Sequence, residues 1–311
     1  MLSIDMHRFT LRQLEYFVAC VDAGSIAGAA VSLNVSQPTV SVAITKLEDQ
    51  LGMQLLLRHH AQGVSVTAGA LRFVQSARSL LSHATDVQRE AMMISDDIES
   101  DNISGVLRLG SFVTLAPSAL PGLISQFHQN YPGVKLDLQE GTQEKLVEGL
   151  YSGSLEIALL YDLELPDDIH RVALAELSPY VVLPASHPLA DQDEIDLVNL
   201  ETEPMILFDV QPSRGFFLGL FKSVGVTPDI AYTTSSLELL RGMVGRGLGY
   251  SLLVTRPHGD LTYEGAQLVA RPIKNNIAKS RIVLASLANL RPTRAMSKFE
   301  NVAQIYFTDW Q

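Results

Sequence analysis

Ser36, Gln37, Pro38, Thr39, Ser41, Val42, Thr45 and Lys46 gather hydrogen-bonding groups, one branched apolar side chain and one cation in a short stretch of the 311-residue chain. That mixture suits recognition more than bond breaking. Hydroxyls and amides read base edges or phosphate oxygens, an ammonium neutralises phosphate, and valine meets a thymine methyl. Ser36 is a good N-cap, and Pro38 falls in a first helical turn, where its missing N–H costs least. Val40, Ile44, Leu47 and Leu51 recur at helical spacing as an inward stripe. Gln37, Pro38, Ser41, Val42 and Thr45 are left facing outward.

Two earlier elements have to hold that helix in place. Leu11, Leu14, Phe17, Val18 and Val21 predict an amphipathic first helix that ends near Gly24. Ser25 caps a second helix, in which Ala27, Ala29 and Ala30 keep the surface low for close approach. Asn34 suits the left-handed residue that ends such a helix. Two short helices joined this way form a helix-turn-helix, whose second helix can lie in the DNA major groove. Residues 55–57 and 64–66 then flank His59-His60-Ala61-Gln62-Gly63, a two-stranded wing with a polar tip. Arg58 at its base is placed to reach a phosphate. Adjacent histidines on a strand point to opposite faces, which argues against a metal pair.

A helix is expected from about residue 67 to 98, with Phe73, Ala77, Leu80, Ala84, Val87, Ala91, Ile94 and Ile98 spaced alternately four and three apart. Such a seam supports a coiled-coil dimer; the alternative is packing against the chain's own domain. The acidic stretch 96–102 marks a linker. Strand-like and helix-like segments alternate from residue 105, predicting an open, mainly parallel sheet with helices on both faces. The pattern restarts near residue 180, so two α/β subdomains share a cleft. Ligands of such sheets sit at the carboxyl ends of strands, near helix N-termini. Those positions hold Ser111, Thr114, Gly141, Thr142 and Tyr161 in the first half, then Phe208, Asp209, Thr233, Thr234 and Ser235. Hydroxyls beside helix N-termini favour a carboxylate or another small anion. Each hydroxyl also has a plain structural use as a helix cap, and Asp209 could instead recruit an amine.

Composition narrows the classes. The net charge is −11, and residues 1–67 carry four basic against five acidic side chains. Phosphate neutralisation drives non-specific DNA affinity, so one such domain alone should bind weakly and a dimer better. Helix N-termini and backbone N–H groups offset part of that deficit. No apolar run is long enough to span a membrane, and residues 1–10 have no signal-like apolar core. Cys20 is the single cysteine, which excludes an intrachain disulfide and a cysteine-based zinc site; a reducing cytoplasm fits. The glycine-rich run 242–249 has Tyr250 where G-x-G-x-x-G needs its third glycine, so a helix end and turn is expected there. No G-x-S-x-G elbow or H-E-x-x-H pair occurs, and His258-Gly259-Asp260 reads as a polar loop. No catalytic constellation, metal site or cofactor is expected.

Residues 11–24 and 25–33, Ser36-Gln37-Pro38 with Ser41, Ala43-Ile44, Leu47-Glu48, Leu51-Gly52, Leu55, Arg58 and Thr67 together resemble the LysR-type transcriptional regulators. Leu120-Pro121, Phe127, Tyr131-Pro132 and Gly247-Leu248-Gly249 extend the resemblance over essentially the whole chain. It implies a winged helix-turn-helix over 1–67, a dimerising linker helix and hinge over 68–104, and a periplasmic-binding-protein-like (type 2) α/β sensor over 105–311. Subdomain I would comprise 105–175 and 266–311, and subdomain II 176–265. The resemblance also implies a homotetramer on promoter DNA, controlled by a small co-inducer. The matching pocket positions are Ser111, Phe112, Thr114, Thr142, Tyr161, Phe208 and Thr233 to Ser235. A small organic acid is the preferred effector, and a solute-binding protein is the alternative reading. Val42 stands where members often have arginine, which shifts weight from base reading to DNA shape. Gly69 falls inside the first turn of the expected linker helix, at a cost of about 1 kcal/mol relative to alanine.

Overall fold

The structure, a computed structural model, describes residues 9–59, 63–95, 103–308 and 310, leaving aside the side chains of 58, 86 and 89–95. Its first helix, α1 (Leu11–Ala23), opens with a reciprocal cap. Gln13 N donates to Thr10 Oγ1 at 3.3 Å and Thr10 N donates to Gln13 Oε1 at 2.8 Å. It closes on Gly24 at φ 62°. Helix α2 (Ile26–Ser32) is followed by Asn34 at φ 54°, the left-handed turn expected there. Helix α3 (Gln37–Leu51) buries Val40, Ile44 and Leu47 completely against Leu14, Phe17 and Cys20.

The wing is held from two sides. Strands β1 (Leu56–His59) and β2 (Gly63–Val66) pair antiparallel. At the start of β1, Leu55 N and Leu56 N donate to Glu48 Oε1 at 2.8 and 3.1 Å, tying the wing to α3. His59 Nε2 lies 2.7 Å from Ser65 Oγ across the ladder, a contact within the wing. His60 and the Arg58 side chain lie outside the described residues.

The linker begins differently from expectation. Residues Ala68–Ala70 form a 3-10 turn, capped by Thr67 Oγ1 accepting from Ala70 N at 3.2 Å, before α4 (Leu71–Ser95). Gly69 therefore sits in that turn rather than inside the α-helix. The seam is also divided. Phe73 packs on Phe17, with ring centroids 5.6 Å apart, and Ala77 is buried with the DNA-binding domain's core. Leu80 and Val87 stay exposed. The first turns thus pack on the chain's own domain, and the apolar face becomes available only from about residue 80. The Ala91 and Ile94 side chains, and Ile98, lie outside the description.

The sensor contains one five-stranded sheet and, in its second subdomain, a three-stranded and a two-stranded sheet. The first subdomain is built from β3 (Gly105–Phe112), α5 (Ala116–Asn130), β4 (Val134–Gly141), α6 (Gln143–Ser152), β5 (Ile157–Tyr161) and β6 (Ile169–Leu177). The chain crosses to β7 (Tyr180–Pro184), β8 (Pro204–Phe208), α7 (Ser213–Ser223), β9 (Asp229–Thr234), α8 (Leu237–Gly245), β10 (Ser251–Leu253) and β11 (Leu268–Pro272). It returns through β12 (Ser280–Leu287) and α9 (Arg294–Thr308). The first sheet has order β4-β3-β5-β12-β6.

The sheets are less uniformly parallel than the alternating pattern suggests. Strands β4, β3 and β5 are parallel, but β12 runs antiparallel to both its neighbours because it enters from the second subdomain. In the second subdomain β8 and β9 are parallel, whereas β10 and β11 flank β7 antiparallel. Ile206 N donates to Tyr250 O at 2.8 Å and joins the two pieces. Strand β11 pairs with β7 from Leu268 to Pro272, so the return crossing falls between Pro272 and Ser280 rather than at 266. Buried Met296, Phe299, Val302, Ala303 and Phe307 fasten α9 to the first subdomain. Among the described residues no single helix is long and apolar enough to cross a membrane.

Candidate functional site

The outward face of α3 carries the polar cluster. Gln37, Pro38, Thr39, Val42, Thr45 and Lys46 are exposed and Ser41 is half-buried, while the opposite stripe is sealed in the core. Val42 is 68% exposed, so its methyls are presented to solvent rather than packed. Ser36 Oγ accepts from Thr39 N at 3.3 Å and lies 2.7 Å from Thr39 Oγ1. Both hydroxyls thus shape the helix's leading turn. Thr45 Oγ1 donates to Ser41 O at 3.1 Å. Ser25 accepts from Gly28 N at 3.0 Å and so caps α2. The outward face of α3 is an exposed polar ridge in which Lys46 is the one formal charge from residue 36 to 46.

In the sensor, the structure separates the expected ligand residues into two groups. Thr114 and Tyr161 from the first subdomain meet Phe208 from the second around one small cavity. The other expected residues lie elsewhere. Strand β3 runs two residues beyond the expected end, so Ser111 and Phe112 are fully buried strand residues; Phe112 packs edge-on to Tyr161, with ring centroids 5.4 Å apart. Gly141 ends β4 beside Phe112. Thr142 precedes α6 but makes no side-chain cap, and neither of these two lines the cavity. Asp209 is exposed and paired with Arg214 at 2.9 Å. Thr233 and Ser235 are exposed, and Thr234 Oγ1 accepts from Ser236 N at 3.1 Å, a local turn contact.

Six residues complete the lining that sequence reasoning missed: Ser213 at the start of α7, Phe217 one turn later, Leu237 opening α8, Leu253 ending β10, and Val254 and Thr255 beyond it. Tyr161 joins the two subdomains. Its hydroxyl lies 3.1 Å from Thr114 Oγ1 and contacts Thr255 Oγ1, and Tyr180 OH donates to Thr255 O at 3.2 Å. Burial pushes the Tyr161 phenol above its ordinary pKa, against the opposing effect of its two hydroxyl partners. It therefore stays protonated at neutral pH. The cavity measures about 10 Å³, so the cleft is shut around room for about one water. A signal for Thr255 does exist in the sequence: it follows the run 250–254, at a strand end.

Comparison with known proteins bears on both sites. Residues 11–71 match the family described as "Bacterial regulatory helix-turn-helix protein, lysR family", and residues 100–306 match the "LysR substrate binding domain" family. The chain is similar to the crystal structure of HinK, a LysR family transcriptional regulator from Pseudomonas aeruginosa. The two are 39% identical at a TM-score of 0.65, over 96% of this chain and 98% of that one. A full-length OxyR variant from Pseudomonas aeruginosa aligns at 26% identity and a TM-score of 0.76, over 96% and 98% of the two chains. A hydrogen peroxide-inducible genes activator from Pectobacterium carotovorum is 31% identical over 246 residues, 78% of this chain and 79% of its own length.

Proposed function

The chain belongs to the LysR family of transcriptional regulators, and from that premise we propose how its own residues carry the work. Gln37, Pro38, Thr39, Ser41, Val42, Thr45 and Lys46 form the DNA-reading surface, with Ser36 and Ser25 holding the helix ends that present it. The observation that carries this reading is the split of α3, with Val40, Ile44 and Leu47 fully buried and the polar face exposed. Arg58 at the wing's base is the natural phosphate contact. Regulators of this family bind promoter DNA and small effectors and form oligomers. We assign dimerisation to the part of α4 beyond Leu80, with a tetramer as the working assembly in the cytoplasm.

The effector site is the cleft around Thr114, Tyr161, Phe208, Ser213 and Thr255, and its ligand is a small organic acid. Hydroxyls and helix N-termini supply donors to such a ligand without a formal cation. One relative is named for induction by hydrogen peroxide, but a cysteine-based response is not part of this reading. Residues 105–311 contain no cysteine, and Cys20 is fully buried on the inner face of α1. The solute-binding alternative is not favoured, because residues 11–71 match the family's DNA-binding domain.

A mobility-shift titration on the DNA upstream of the chain's own gene tests the groove assignment. Ser41→Glu places a carboxylate against phosphates and should weaken binding at moderate salt by at least about tenfold. Unchanged binding would mean that another surface reads the DNA.

A further inference from the structure

The geometry points to a second ligand site in the sensor, between the β6–β12 ladder and α9, which takes a small primary ammonium compound with an apolar body. It lies within the first subdomain and is independent of the organic-acid reading of the cleft.

Strand pairing and helical spacing bring its walls together. In the ladder His170 stands opposite Ser286, and Val172 opposite Leu284. Each pair is two residues from the next, so all four side chains share one face of the sheet. Met296 and Glu300, one turn apart on α9, cover that face. With Ile157 from β5 and the turn after β12, these residues line a cavity of about 240 Å³. Small-molecule pockets usually measure about 300–1,000 Å³, so the occupant is small. Ile157, Leu284 and Met296 are buried and make an apolar floor, while His170 is exposed at the mouth. A ligand therefore enters here without parting the two subdomains.

The polar groups are all able to accept. Glu300 is half-buried beside those apolar walls, and among the described residues its carboxylate has no hydrogen-bond or ion-pair partner. The Ser286 hydroxyl and the His170 ring have no side-chain partner there either. A carboxylate that has lost part of its hydration and gained no cation is a site for one. A primary ammonium brings the charge and three N–H donors, one for each of Glu300, Ser286 and His170.

Charge excludes the other classes. No lysine or arginine lines the cavity, so an anionic ligand would meet Glu300 uncompensated. Arg171 and Arg281, on the same two strands, are held by Asp162 at 3.2 and 3.4 Å, and Lys298 Nζ lies 5.6 Å from the centre of the Tyr131 ring. The net charge of −11 draws cations towards the surface. A metal ion is a poorer occupant, because His170 and Glu300 are only two ligands, and no group of three such side chains exists among the described residues.

The test is calorimetric titration of the full-length protein with benzylamine and butylamine, the uncharged benzyl alcohol and 1-butanol, and benzyltrimethylammonium, which keeps the charge but has no N–H. The primary amines should bind, with the alcohols and the quaternary ion at least about tenfold weaker, the scale of lost hydrogen bonds to a charged group. Glu300→Gln should weaken the amines by at least about tenfold. Ser286→Leu, which fills the cavity from β12, serves as the second variant should Glu300→Gln melt early. Alcohols or the quaternary ion that match the amines, an unmoved amine affinity in both variants, or no binding of either amine would each overturn the proposal. Failure of the regulator reading would appear separately, in the mobility shift.

Discussion

Val64 N donates to the carbonyl of Gly24 at 2.8 Å, so the wing is fastened to the turn between the first two helices. The residue before it, Gly63, has φ 92°, and a Cβ there would collide with that same carbonyl. Only glycine permits both the backbone angle and the close approach. Gly63→Ala should destabilise the DNA-binding domain by more than about 1 kcal/mol, seen as an earlier urea midpoint. Promoter affinity should fall with it, while the sensor's response to ligand stays intact.

Glu48 makes the complementary attachment from α3 to the wing, through the backbone N–H groups of Leu55 and Leu56. Hydrogen bonds to a charged group are worth about 1.5–3 kcal/mol each way of counting. Glu48→Ala should cost about that much in a denaturant titration, and Glu48→Gln, which keeps an acceptor, should cost less. Equal losses in the two variants would show that the charge, not the acceptor geometry, holds the wing.

Val42 offers a gain-of-function test. Its side chain is exposed, so replacement leaves the core alone. Val42→Arg adds a cation to a face that has only Lys46. If that face meets the duplex, affinity rises and the salt dependence of log K steepens by about 0.9 for one added phosphate contact. An unchanged slope would place residue 42 away from the backbone.

Alkaline titration provides a check on the sensor. Tyr151 OH donates to Asp168 Oδ1 at 2.6 Å. Its pKa is raised to about 12 by partial burial, then by the hydrogen bond and charge of Asp168, with Arg72 opposing. Because the folded value lies above the unfolded one, this contribution to stability is complete below pH 10 and is lost as pH rises towards 12. Tyr151→Phe should remove a late component of the phenolate absorbance and flatten the fall in melting temperature across that window.

The DNA-binding half was legible because local chemistry and fold agree there. Thr67, Ser36 and Ser25 are caps, Asn34 takes the left-handed turn, and the buried stripe of α3 follows the helical period. The sensor was legible in outline only. Strand β6 lacks a clean two-residue alternation because its ladder with β12 is interrupted near Ile282, and so it left no clear signature. Ser111 and Phe112 looked like loop residues because the strand's fully buried end carries a serine. Ser213 left no signal and Thr255 only its place at a strand end, for another reason. They come together only when α7 and the segment after β10 fold towards Tyr161, more than ninety residues away from Thr255 in sequence. The rule that ligands sit at parallel strand ends pointed instead to Asp209, whose charge is spent on Arg214.

The connections between the two halves of the sensor are short. Residues 178–179 form one; the other is pinned to the second subdomain as far as Asn275, through Lys274 N to Ile195 O at 2.9 Å and Leu197 N to Asn275 Oδ1 at 2.9 Å. Any relative motion of the two lobes must therefore pass through a pair of pins, 178–179 and 276–279. A door hung on two pins pivots but does not slide. A molecule of a few atoms wedged near the jamb therefore displaces the far rim in one predetermined direction, which is what a lever needs if neighbouring copies on DNA are to feel it.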